Sequence, residues 1–352
     1  MSNNNDKKRL AYVDFYTHKN TKSGDFLREI LSEEFEITDF WWKPREKFPL
    51  NDLKKYDFIF FFHIIFPYQL MRKLKGKRIM WAPMYDGLDK YGAVNFTNTF
   101  LKRIFWDQMA SLGVKVLKFS DKITESIGQS KLDTLKLKYY VKTDFSSSQI
   151  NQKKLNIFFW DRGGVKFDDW IKIFKSEDIN EILYFPNPDY GRKESNISKY
   201  LNRKDLKITL IKNEFLSKEN FLNLLSKCNV FVAPRKKEGI GMALVEAISK
   251  GMYLVGYNDS TMNEYIENEN NGFLFDEKNI KEINTDSIIN SYHLRKSLAE
   301  INYNAWLEEK KNILPFFSKK INNYKKLSSI FLFFISDINF LIKRILKINY
   351  FY

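Results

Sequence analysis

A chain of 352 residues exceeds one ordinary small domain, and its 44% hydrophobic content, with 32 Phe and 19 Tyr, excludes a disordered chain; two domains with buried cores are expected. Its 58 Lys and Arg against 43 Asp and Glu leave a formal charge of +15, which suits an anionic partner (phosphate, acidic lipid or nucleic acid) without choosing among them. The single cysteine, Cys228, excludes an intrachain disulfide or cysteine-based zinc site, and the polar N-terminus lacks the order of a secretory signal, so a cytoplasmic protein is expected.

From the N-terminus, short apolar runs at 10–16, 36–42, 58–62, 78–82 and 114–119 read as strands of an open, mostly parallel α/β sheet. Behind Ser23 and Gly24, residues Phe26, Ile30 and Leu31 recur at helical spacing, so a helix should follow the first strand. The polar stretch TDFSSSQINQKK reads as a crossing between compact units and places the first domain at 1–150. The alternation restarts with strand LNIFFW, a Gly163-Gly164 turn, helix FDDWIKIF, strands EILYF and LKITLI, and helix SKENFLNLLSK. Strand NVFVAP, helix GMALVEAISK and strand YLVGY complete a second α/β sheet in a domain at 151–320.

Beyond residue 285 the pattern is helical until Pro315 should end it. The tail, 321–352, mixes Phe, Ile and Leu with Lys325, Lys326, Lys343, Arg344 and Lys347 but contains no run of the roughly 18 apolar residues that a spanning helix needs. Two packings fit it. One is an amphipathic helix on an anionic membrane surface; the other is a core helix that buries Phe331, Phe334, Ile338 and Leu341 against the first domain.

The densest chemistry lies in 229–275, read as strand, loop, helix, strand and loop. The strand ends at Pro234, and a loop with Glu238, Gly239 and Gly241 leads into a helix whose free N–H groups would favour a phosphate at the sheet's C-terminal edge. Glu246, in the second turn, can reach toward the same crevice, so the two carboxylates are suited to hydroxyl groups. Glu238 and Glu246 match the E-x7-E motif of retaining GT-B glycosyltransferases, and the chain resembles the large family four of that class from about 213 to 276. The segment FLSKENFLNLLSKCNVFVAP before the motif, and Gly251, Glu264 and NNGFLF after it, resemble the family's flanks.

That resemblance implies two Rossmann-like domains facing a cleft, followed by a C-terminal helical tail. It implies that Glu238 contacts the transferred sugar, that Glu246 holds the nucleotide ribose, and that the backbone of Gly239, Ile240 and Gly241 contacts sugar or phosphate. In WDRGGVKFDDW, Arg162 and Lys166 look like the family's Arg and Lys, whose charge would stabilise a departing diphosphate in place of a metal. The departures are Asp161, where a Gly is usual, and the closer spacing of the two cations. No Asp-x-Asp motif is present to hold a divalent ion, so no metal is expected; Asp168 and Asp169 suit a helix start.

In the first domain, His63 at a strand end and Asp86 in the loop WAPMYDGL are candidates for the acceptor side. His63 also fits a structural histidine, and Asp86 a helix cap. His18 and His293 receive no role. The resemblance implies a hexosyl-type transfer with retention from a UDP- or GDP-linked sugar to a saccharide or lipid-linked acceptor, in bacterial surface polysaccharide or lipopolysaccharide synthesis. The basic tail would place the enzyme at the inner face of the cell membrane. The alternatives are a nucleotide-sugar epimerase of the same fold and a non-catalytic basic protein that binds nucleic acid or membrane. Dispersed Lys and the lack of a recognition motif argue against nucleic acid.

Overall fold

The structure is a computed structural model that describes residues 7–43, 46–88, 99–145, 153–212, 216–259, 261–276, 278, 280–319, 334 and 338. The chain divides into two compact units, Met1–Lys138 with Glu308–Tyr352, and Tyr139–Leu307.

The first unit is built on six strands: β1 (Lys8–Phe15), β2 (Phe35–Trp42), β3 (Phe58–His63), β4 (Arg78–Pro83), β5 (Lys115–Lys118) and β6 (Thr134–Lys136). They lie in the order β2-β1-β3-β4-β5-β6, every neighbouring pair parallel. The run Phe58 to Phe62 is buried throughout because a central parallel strand has both faces covered. The helix Asp25–Ser32 turns Phe26, Leu27, Ile30 and Leu31 inward, as the spacing in the sequence requires.

The second unit repeats the plan with β7 (Leu155–Asp161), β8 (Ile179–Pro186), β9 (Ile208–Leu210), β10 (Val230–Val232), β11 (Tyr253–Tyr257) and β12 (Gly272–Phe275). Their order is β12-β11-β10-β7-β8-β9, again all parallel. After β9 the chain returns to the other side of β7, so the direction of winding reverses between β7 and β10. In an open parallel sheet the crevice beyond the strand C-termini at such a reversal is where ligands bind.

Several expectations are corrected. Residues 139–145 pack with the second unit, so the division falls before the polar stretch: the Tyr139 amide donates to the Tyr265 hydroxyl at 3.1 Å, and the Lys250 ammonium meets Asp144 at 2.6 Å. The chain beyond 307 returns to the first unit, where buried Phe317 packs on Phe35 and Phe58 with ring centroids 5.6 and 5.5 Å apart. Pro315 does not end a helix. The helix Tyr292–Glu309 tightens into a 3₁₀ turn at Lys310–Asn312, and Pro315 lies in the first turn of the next helix, Ile313–Ser318, where its missing N–H costs no helical bond. The helix expected over FDDWIKIF is only Phe167–Trp170, followed by a 3₁₀ turn. The basic residues of the tail lie outside the described residues, and no described helix is long and apolar enough to cross a membrane.

Candidate functional site

The loops that leave β7 and β10 flank the reversal in the second sheet, and they carry Arg162, Lys166, Glu238, Gly239, Ile240 and Gly241. These loops touch. The Val165 amide donates to the Pro234 carbonyl at 3.1 Å, and a Cβ added to Gly164 would lie 3.1 Å from that oxygen and 3.2 Å from the Arg235 Cα, so a side chain there would press the two loops apart by a few tenths of an ångström.

Asp161, where the resemblance leads one to expect glycine, is fully buried and moors the loop. Its carboxylate accepts from the Gly163 amide at 2.8 Å, the Ser195 amide at 2.6 Å and the Tyr184 hydroxyl at 2.8 Å. The Ser195 hydroxyl in turn accepts from the Phe167 amide at the start of the next helix. Asp169 accepts from the Lys166 amide at 2.8 Å, a helix-start role, whereas Asp168 pairs with Lys199 at 2.7 Å.

The Arg162 guanidinium donates to Asp189 Oδ1 at 2.7 and 3.0 Å and lies over the Trp160 ring. Arg235 donates to both oxygens of the same carboxylate, at 2.7 and 2.8 Å, and reaches Glu238 Oε2 at 3.2 Å. Arg162, Asp189, Arg235 and Glu238 therefore form one network. Burial, then the charge of Arg235, pushes the Arg162 pKa down. Burial would raise Asp189, but the hydrogen bonds and charge of Arg235 outweigh it and hold this carboxyl below its ordinary value.

Lys166 stands apart from these four side chains; its ammonium donates to the Lys193 carbonyl. The cation that the structure sets beside Arg162 is Arg235, which the sequence reading did not single out. Its one sequence signal is its place directly after Pro234, in the loop that follows β10.

Beyond Glu238 the loop turns into the helix Met242–Ser249. Gly241 begins it at φ 74°, and among the described residues no side chain caps this start, leaving its first amides directed outward along the axis. The Ile240 side chain is buried, so this residue offers a ligand its backbone. Glu246, on the same helix, is mostly buried and has Lys218 Nζ 3.7 Å from Oε1. Burial raises its pKa, and Lys218 opposes that shift only in part.

In the first unit the winding reverses between β1 and β3, and His63 closes β3 in a left-handed conformation, φ 65°. His18 is not isolated. Its Nδ1 lies 2.6 Å from the buried Asp14 carboxylate, which also takes Arg28 at 3.0 Å, and its ring centroid lies 5.5 Å from that of His63. Asp86 is half-buried in the first turn of the helix Tyr85–Leu88 that follows β4. Among the described residues no three His, Cys, Asp or Glu side chains converge as metal ligands.

Two six-stranded parallel sheets with these connections define a GT-B fold, and solved structures share it. Sucrose-phosphate synthase of Thermosynechococcus elongatus is similar with a TM-score of 0.56 at 11% identity, over 88% of this chain and 98% of its own. HepE of Anabaena in complex with UDP and glucose gives 0.57 at 11% identity, over 89% and 100%. A glycosyltransferase from Rickettsia africae gives 0.51 at 13%, over 89% and 98%. Identities this low establish the fold alone. Residues 189–306 are similar to the glycosyl transferases group 1 family, and the match spans Asp189, Arg235, Glu238 and Glu246. Among curated proteins none matches the chain.

Proposed function

We propose that this protein is a glycosyltransferase that moves a hexosyl-type sugar from a nucleoside diphosphate to an acceptor hydroxyl with retention, without a metal. The observation that carries this reading is the meeting of Arg162, Glu238 and the glycine-lined start of the helix Met242–Ser249 at the reversal point of the second sheet, inside the segment that matches group 1. A diphosphate there would lie on outward-facing amides, with Arg162 and Lys166 to take the charge that grows as the sugar bond breaks. Glu238 would orient the sugar and Glu246 the ribose. A carboxylate that already bears a desolvation cost gains hydrogen bonds when a ribose hydroxyl donates to it.

The donor that we favour is UDP-linked, since HepE is seen with UDP and glucose; a GDP-linked sugar is the other choice. His63 and Asp86 are proposed to serve the acceptor, a saccharide or lipid-linked hydroxyl of a bacterial surface polysaccharide or lipopolysaccharide. Contact with the inner face of the cell membrane would come from the basic tail, in which helical Phe334 and Ile338, four residues apart, are exposed.

A thermal-shift screen against UDP-, GDP-, ADP- and CMP-sugars tests the reading, because a ligand of the native state raises the melting temperature. One sugar nucleotide should do so, and Glu246→Ala should abolish the shift while the chain stays folded. A screen with no shift, or a shift that survives in Glu246→Ala, overturns it.

A further inference from the structure

Asp189 lies where two guanidinium groups converge. Arg235 holds it in a fork, Nε to Oδ2 at 2.8 Å and Nη2 to Oδ1 at 2.7 Å, and Arg162 adds Nη2 at 2.7 Å and Nε at 3.0 Å to Oδ1. Four N–H donors thus aim at one carboxylate whose side chain is only 13% exposed. Planar forks of this kind bind phosphate oxygens as readily as carboxylate oxygens. Both arginines belong to the two loops at the reversal point, and Asp189 belongs to the loop after β8, whose next residue, Tyr190, is fully exposed.

We infer that Arg235 is a further cation of the donor diphosphate site and that Asp189 is the internal anion the diphosphate displaces; this rests on the glycosyltransferase reading above. Charge balance is the reason for displacement. Arg162 and Arg235 are matched by Asp189 and Glu238, so these four side chains sum to zero. A diphosphate entering beside an unmoved Asp189 would meet a carboxylate instead of free guanidinium donors, and like charges at that range repel. Once Asp189 swings out on its loop, both forks are open to phosphate oxygens. Asp189, together with Glu238, thereby keeps two adjacent guanidinium groups ordered and neutralised while no donor is bound, at the cost of competing with the donor.

Isothermal titration calorimetry of the full chain with UDP, GDP, ADP and inorganic pyrophosphate tests this in the wild type, Arg235→Gln, Arg235→Lys and Asp189→Asn, each first checked for a native melting transition. Arg235→Gln should weaken the preferred nucleoside diphosphate and pyrophosphate about tenfold, and Arg235→Lys, which keeps the charge without the fork, should recover only part of that. Asp189→Asn should tighten both several-fold, because the competitor is removed. Unchanged or weaker binding in Asp189→Asn makes Asp189 a strut and overturns displacement; unchanged binding in Arg235→Gln overturns the assignment of Arg235. A wild type that binds none of the four probes overturns the proposed function and this inference together.

Discussion

The Thr261 hydroxyl, fully buried, lies 2.7 Å from the carbonyl oxygen of Glu238 and 2.8 Å from that of Gly239, so a side chain from beyond β11 holds the turn that opens the glycine loop. Thr261→Val keeps the shape and removes the donor, leaving two carbonyls without it. Denaturant titration should show a loss of about 1–3 kcal/mol, and the melting shift given by a sugar nucleotide should shrink. Thr261→Ser should restore both, and its failure to do so would separate the effect from the hydroxyl.

Gly241→Ala probes the start of the helix Met242–Ser249. At φ 74° the backbone is left-handed, and the added Cβ would lie 3.3 Å from the flexible end of Met262, so backbone strain dominates over crowding. The cost should be about 1–2 kcal/mol. Because the amides that follow would tilt, calorimetry should show weaker nucleoside diphosphate binding than the stability loss alone explains. Full-strength binding would show that these amides do not meet the ligand.

Glu246 links stability to pH with a definite sign. Burial raises its folded pKa above the unfolded value, so between those two values the native state holds a proton that the unfolded state has lost, and stability falls as pH rises through that window. Glu246→Gln removes the penalty. The variant should melt above the wild type at pH 7 to 8, with the gap closing as the pH drops below the ordinary carboxylate range, while its response to sugar nucleotides is lost. A variant that melts no higher than the wild type at neutral pH would contradict the burial argument.

Phe317→Ala should destabilise the first unit. Its ring is fully buried against Phe35 and Phe58, and truncating such a residue costs about 3–5 kcal/mol. Limited proteolysis across a urea series should cut within 7–138 at lower urea than in the wild type, with the second unit's cleavage unchanged. Equal protection of the first unit would show that residues beyond 307 contribute little to its fold.

Much of the fold was legible because apolar periodicity is a local property. The run from Phe58 to Phe62 reads as a strand, which the structure buries on both faces, and Phe26, Ile30 and Leu31 at helical spacing share the inward face of a helix. The unit boundaries were less legible. The stretch TDFSSSQINQKK is polar, yet Tyr139 before it and Asp144 within it already bond to Tyr265 and Lys250, which composition does not reveal. Pro315 misled for a similar reason: proline stops a helix in its interior but suits a first turn, and only the preceding 3₁₀ turn shows which case applies.

The sequence by itself determined two parallel α/β units and the loop, glycine and helix order that carries Glu238 and Glu246, since each follows from residues close together in the chain. Only the tertiary structure decided that Arg162 is joined through Asp189 to Arg235 and that Lys166 is not, and that His18 stands between Asp14 and His63. Arg235 and Asp189 are 46 residues apart, and they meet because β10, β7 and β8 lie side by side. A charged side chain takes whatever partner the strand order brings within reach, and that order is set by how the whole sheet is wound.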